Sequence, residues 1–227
     1  QRPRRAAFQR ARPLVLGERL IVRQTAEAGM SWHCFDVASG KRLWQTEPGG
    51  QGAVVSDPIL IEESIVALAA SKIADQQGVL RLLTLDRATG RVIRERDVVW
   101  LGSEWFQDGR CEVAIQSDGI LIDVGAALLR LDLDGNLSWM RLMPRRTEPQ
   151  SEDRRLVAQQ PLLSGERVFV VSHGGEAVEC LDWIRGRRVW TRELPARVRL
   201  AGMAEGRLVA FGSDSVSALS PSDGSVL

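Results

Sequence analysis

Read as apolar and polar positions, the chain breaks into short runs, each about four to eight residues long and rich in Val, Ile, Leu and Phe. Clusters of Gly, Ser and Asp separate them, as turns require. No window sustains a helical period, so the runs predict strands. They fall into five groups of four: 13–16, 19–24, 31–36 and 42–46; 53–61, 64–70, 79–86 and 91–98; 111–116, 120–124, 127–132 and 137–142; 157–163, 167–172, 177–182 and 187–194; and 198–203, 207–211, 216–219 and 225–227. The second and third runs of a group are nearly all apolar, as in Leu82-Leu83-Thr84-Leu85, which suits strands covered on both faces. The fourth alternates with charge, as in Arg91-Val92-Ile93-Arg94-Glu95-Arg96, which suits a half-exposed edge.

The groups share a punctuation. His33-Cys34-Phe35-Asp36 leads through a turn to Gly40, and Trp44 follows four residues later. Asp86 and Gly90 repeat the turn with Arg94 in the Trp position. Asp132, Gly135 and Trp139 repeat it one residue shorter, and Asp182, Gly186 and Trp190 repeat it in full. Ser220 and Gly224 give a fifth copy. The glycines recur roughly every 40–50 residues, a period typical of propellers and arrays. Four-stranded sheets with covered middle strands and polar outer strands are what radially stacked blades need. The expected fold is therefore an all-β propeller of four-stranded antiparallel blades, four and a half to five in this chain. It spans residues 1–227 as one segment, with repeats at 13–46, 53–98, 111–142, 157–194 and 198–227.

The pattern Asp-x-x-(Ser/Thr)-Gly-(Lys/Arg)-x-x-Trp, best preserved from Asp36 to Trp44, resembles the tryptophan-docking repeat of PQQ-like β-propellers. That family includes quinoprotein alcohol dehydrogenases and the outer-membrane assembly lipoprotein. The resemblance implies that Trp44, Trp139 and Trp190 dock on neighbouring blades and that Asp36, Asp86, Asp132 and Asp182 tie the turns. It also implies a larger ring, usually of eight blades, in the periplasm or cell envelope. Residues 5–10, with Phe8, then read as the last strand of a preceding blade. A closed five-bladed ring, completed by the strand at 6–10, is the variant.

Composition narrows the function. Thirty basic and 29 acidic residues leave a net charge of +1, so no field favours nucleic acid or an anionic membrane. No run of 18 apolar residues is present to span a bilayer. The chain begins without Met and ends inside a repeat, which reads as a segment cut from a longer protein. Cys34 and Cys180 hold the same repeat position, two before the Asp, and with Cys111 make an odd number. The shared position predicts small buried side chains in place of a disulfide.

Few constellations promise chemistry. Quinoprotein dehydrogenases hold PQQ beside Ca²⁺, and many carry adjacent cysteines, which this chain lacks. His33 and His173 occupy different repeat positions with no metal-ligand spacing and read as solvated strand-end or loop residues. Ser31, Ser103 and Ser172 lack a nucleophile-elbow setting. Asp132-Leu133-Asp134-Gly135-Asn136 has no Glu to complete a calcium loop and already serves as a hairpin turn. No catalytic, metal or cofactor residue is expected. Two connections are long: 98–110, with Trp100, Trp105 and Phe106, and 144–155, with four arginines. They would share a face with the loops at 26–30 and 71–78, and long loops on rigid scaffolds often bind partners. The aromatic three are read either as an interface loop or as cover for the neighbouring blade. The expected function is a non-catalytic binding scaffold for a protein or polymer. The alternatives are a fragment of a quinoprotein dehydrogenase and a small-molecule or glycan-sensing propeller fused to another domain.

Overall fold

The structure is a computed structural model and describes residues 12–26, 29–46, 52–74, 77–102, 111–124, 127–143, 160–172, 175–194, 198–212 and 214–227. All regular elements among them are strands. The chain folds as two compact units, Gln1–Gly109 and Arg110–Leu227.

The first unit holds two sheets. β1 (Leu14–Leu16), β2 (Arg19–Ala26), β3 (Gly29–Asp36) and β4 (Arg42–Thr46) form an antiparallel meander, the first blade. The second blade comprises β5 (Gly52–Val54), β6 (Ile59–Ile61), β7 (Ser64–Ala74), β8 (Gln77–Leu85) and β9 (Val92–Gly102), in the order β5-β7-β8-β9 with β6 also on β7. The single strand expected at 53–61 is therefore broken. Pro58 has no N–H for a ladder, and the Ser56 hydroxyl accepts the Leu68 amide at 2.8 Å where a strand carbonyl would. The core between these blades gathers Ile21, Trp32, Cys34 and Trp44 from the first with Ile65, Ala67, Ala69, Leu83 and Leu85 from the second. Each Leu or Ile side chain there, fully buried, contributes about 1.5–3 kcal/mol.

The second unit holds three meanders. β10 (Glu112–Gln116), β11 (Gly119–Asp123), β12 (Ala127–Leu131) and β13 (Leu137–Leu142) form the third blade. β14 (Leu162–Ser164), β15 (Arg167–Val171), β16 (Ala177–Asp182) and β17 (Arg188–Glu193) form the fourth. β18 (Arg199–Ala204), β19 (Arg207–Phe211) and β20 (Val216–Leu219) form the fifth, where the Leu219–Val226 bridge begins a fourth strand. Burial follows the sequence pattern: every β12 residue is buried, whereas along β17 only Trp190 is. A core of Ala114, Leu121, Leu128, Val168, Val170, Leu181 and Trp183 lies between the third and fourth blades. Phe169, Val178, Cys180, Trp190, Leu208, Ala210 and Leu219 fill the space between the fourth and fifth.

Three further expectations change. Trp100 lies on β9, which pairs with β8 as far as Gly102, so the strand replaces the start of the connection expected from residue 98. Trp100 is 59% exposed, and Trp105 and Phe106 lie outside the described residues. The loop expected at 71–78 is mostly strand, because Ser71 and Lys72 continue the ladder to Val79 and Gly78. His33 is not solvated: it sits inside β3 at 5% exposure, with Nε2 2.7 Å from the Ser31 hydroxyl and its ring stacked on Phe35. His173 lies outside the described residues.

Candidate functional site: the turn-and-tryptophan joints

The recurrent motif forms a closed local structure. In the first copy the Asp36 amide donates to the Lys41 carbonyl and the Gly40 amide returns to the Asp36 carbonyl, both at 2.9 Å. One Asp36 carboxylate oxygen accepts the Ser39 amide at 2.7 Å and the Ser39 hydroxyl at 2.5 Å. Asp86 does the same with Thr89 at 2.8 and 2.7 Å. Asp182 takes only the Arg185 amide, and Asp132 takes the Asn136 amide and side chain. These bonds favour the charged carboxylate, so the Asp36 and Asp86 carboxyls are held below the usual range, mainly by the Ser39 and Thr89 hydroxyls. The fifth turn inverts the arrangement: Asp223 accepts from Ser225, which lowers its carboxyl too.

The glycine closing each turn has positive φ, from +65° at Gly186 to +83° at Gly135. Gly186 and Gly224 also receive a tryptophan from the preceding blade. A Cβ at either would fall 2.6 Å from the ring of Trp139 or Trp190, and one at Gly90 would overlap Trp44. The indole N–H of Trp139 donates to the Trp183 carbonyl at 2.9 Å, and that of Trp190 to the Pro221 carbonyl at 3.0 Å. Both acceptors directly follow the first residue of the receiving turn.

The first joint departs from this. The equivalent acceptor is the Arg87 carbonyl, and there Arg19 Nη1 donates at 2.8 Å. The indole nitrogen of Trp44 is buried without a hydrogen-bond partner among the described residues. The Thr46 hydroxyl instead donates to the Gly90 carbonyl. Two open grooves flank this joint. The larger, about 570 Å³, is lined by residues of mixed charge including Glu18, Arg19, Glu63, Asp86 and Arg87.

Several connecting residues were not singled out from sequence. Trp183 is 1% exposed; its N–H donates to Asp118 at 2.8 Å, and the Arg130 guanidinium lies 4.6 Å from its ring centre. Arg130, itself buried, pairs with Asp118 at 2.8 Å and donates to the Ser138 hydroxyl at 3.0 Å. Gly119 is required first by the main chain, since a Cβ there would fall 2.5 Å from the Leu131 carbonyl, and it also leaves room for the Trp183 ring at 3.3 Å. Glu179 and Arg141 form an ion pair between the third and fourth blades at 2.9 Å. In the first unit Arg23 reaches Asp57 at 3.2 Å across the broken strand. The available signal was comparative: Gly119 stands where other blades have Arg19, Arg167 or Arg207, and a bulky Trp183 follows Asp182.

Burial raises the Cys34 thiol and lifts Cys180 to about 11; all three cysteines are buried and unbridged. Among the described residues no three His, Cys, Asp or Glu side chains gather as metal ligands, and no helix is long and apolar enough to cross a membrane.

Repeated four-stranded meanders with these joints define an all-β propeller. The family model described as outer membrane protein assembly factor BamB matches residues 2–103 and 108–227, and the chain belongs to that family of PQQ-like propellers. Among solved structures it resembles a europium-containing methanol dehydrogenase, with TM-score 0.59 and 12% identity over 94% of this chain and 49% of that one. It also resembles a chain of a mitotic checkpoint complex, with TM-score 0.58 and 12% identity over 93% of this chain and 60% of that one. The chain thus spans only part of either structure. No curated protein matches its sequence significantly.

Proposed function

We propose that this chain is a non-catalytic propeller segment that serves as a binding scaffold in the cell envelope. One observation carries the reading: the match to an outer-membrane assembly factor family extends over nearly the whole chain. The side chains of the motif support it. Asp36, Asp86, Asp132 and Asp182 bond to their own turns, and Trp44, Trp139 and Trp190 pack against the next blade, so the repeated residues act as fasteners. The partner is a protein that docks on the loop-bearing face.

A further blade beyond the fifth fits the same reading. On the outer face of the fifth blade Val216 is 76% exposed, although its repeat counterpart Val178 is fully buried beneath the fifth blade. A large ring of such repeats, eight by resemblance, supplies that cover.

The dehydrogenase-fragment reading draws on the likeness to the methanol dehydrogenase. A quinone with its cation needs convergent carboxylates. Here the motif carboxylates are turned into separate turns, and Cys34 and Cys180 are sealed in separate cores, so the described residues do not fit that group.

Affinity capture from envelope extracts, with photo-crosslinkers placed at 26–30 and 71–78, tests the scaffold reading. A discrete crosslinked protein from these hairpin ends supports it. Quinone-dependent dye reduction by the chain with Ca²⁺ or a lanthanide overturns it.

A further inference from the structure

The outer strands can be compared position by position. The residue after the motif tryptophan is Gln45 in the first blade, Met140 in the third and Thr191 in the fourth, with Glu95 in the corresponding place of the second. Two residues further on stand Glu47, Asp97, Leu142 and Glu193 in chain order. Three of the four outer strands are thus polar here, and only β13 is apolar. Leu137, Met140 and Leu142 pair with Leu131, Leu129 and Ala127, alternate residues of β12, and therefore share one face of the sheet.

That face is open. Leu137 and Met140 are each 45% exposed and Leu142 is 62% exposed. A missing neighbour does not explain it, because Thr191 and Glu193 are exposed in the fourth blade with the third packed beside it. The position lies on the outside of a blade wherever it occurs. β13 is also the last strand of its sheet, so its outer row of amides and carbonyls has no strand partner among the described residues. Natural edge strands are blunted by charge. Here the one charged side chain, Arg141, is directed to Glu179 of the fourth blade.

We propose that β13 is a self-association edge, on which two copies of this chain pair antiparallel with the two-fold axis at Met140. A second copy suits it better than a charged partner for two reasons. The exposed face carries no charge to be complemented, and at a net charge of +1 two copies meet without appreciable repulsion. The pairing is isologous: Met140 faces Met140 of the other copy, and Arg141 lies opposite Trp139. It closes after two copies and seals both edges.

Sedimentation velocity of the 227-residue chain over a wide concentration series should show a monomer–dimer equilibrium. Met140→Glu should abolish the dimer, leave the circular dichroism unchanged, and leave the melting unchanged at concentrations where the parent chain is monomeric. Ile93→Glu on β9, more exposed than Met140 but outside the proposed seam, should leave the dimer intact. The thiol introduced by Met140→Cys should form an intermolecular disulfide under mild oxidation, since facing residues of an antiparallel pair lie within bridging distance. A monomer at every concentration overturns the proposal, as do open-ended aggregates, a dimer indifferent to Met140→Glu, or no crosslink through position 140.

Discussion

Trp139 packs so closely on Gly186 that a Cβ at residue 186 would lie 2.6 Å from the indole. Gly165, in the same blade, has a similar φ of +56° with nothing within 4 Å of its Cβ position. The pair separates backbone strain from the joint. Gly165→Ala should cost about 1–2 kcal/mol, the penalty for a left-handed residue. Gly186→Ala should cost about 3 kcal/mol or more, because the tryptophan must move as well. Urea unfolding measures both, and equal losses would sink the role of Gly186 as a docking site.

Replacing Trp139 and Trp44 by Phe should give different results. Trp139→Phe forfeits the bond to the Trp183 carbonyl, about 1 kcal/mol beyond the lost packing. Trp44→Phe removes a buried N–H that has no partner among the described residues and should cost less. If Trp44→Phe proves the more damaging in thermal unfolding, the difference between the joints is wrong.

Asp118→Ala leaves the buried Arg130 guanidinium without its counter-charge and strips Trp183 of its acceptor. Asp118 is half exposed, so the loss should fall below that of a fully buried pair, at about 1–3 kcal/mol. Arg130→Met, which removes the charge and fills the space, should cost less. Calorimetric melting of both variants decides the order.

The cysteines give one pH prediction. Cys180 ionises at about 11 in the folded chain and lower when unfolded, so its stabilising contribution is complete below about pH 8.5 and declines as pH rises from there toward 11. Cys34 shifts in the same direction. Maleimide should label neither in the native chain at neutral pH and both in denaturant. Rapid native labelling would contradict their burial.

The turn carboxylates shift oppositely. Asp36 and Asp86 are lowered, so what they contribute is present above the ordinary carboxylate value near 4 and is lost as pH falls below it. Ser39→Ala should move the Asp36 titration, followed by NMR, up toward the ordinary value and leave Asp86 in place. No movement would mean that the Ser39 hydroxyl is not what holds it.

The sheets and turns could be read ahead of the structure because both are local. Alternation and the Asp-to-Gly punctuation depend on neighbours in sequence, and the shared place of Cys34 and Cys180 announced their burial. The broken strand at 55–58 was hidden because a serine hydroxyl took over a backbone bond. His33 looked solvated because polarity was read without its partner Ser31, two residues away on the same face. The Asp118–Arg130–Trp183 cluster joins residues 65 positions apart, and no single-repeat pattern encodes such a contact. Function was the least legible, since the repeated residues serve the joints.

In the Trp139 and Trp190 joints the receiving turn offers a glycine and a main-chain carbonyl, and its own side chains play little part in the grip. A socket built from backbone is indifferent to the residues around it. Turns as unlike as Asp182-Trp183-Ile184 and Ser220-Pro221-Ser222 accept the same plug. The joint therefore tolerates drift in the turn: its side chains can change while the glycine and the carbonyl still seat the indole of the preceding blade.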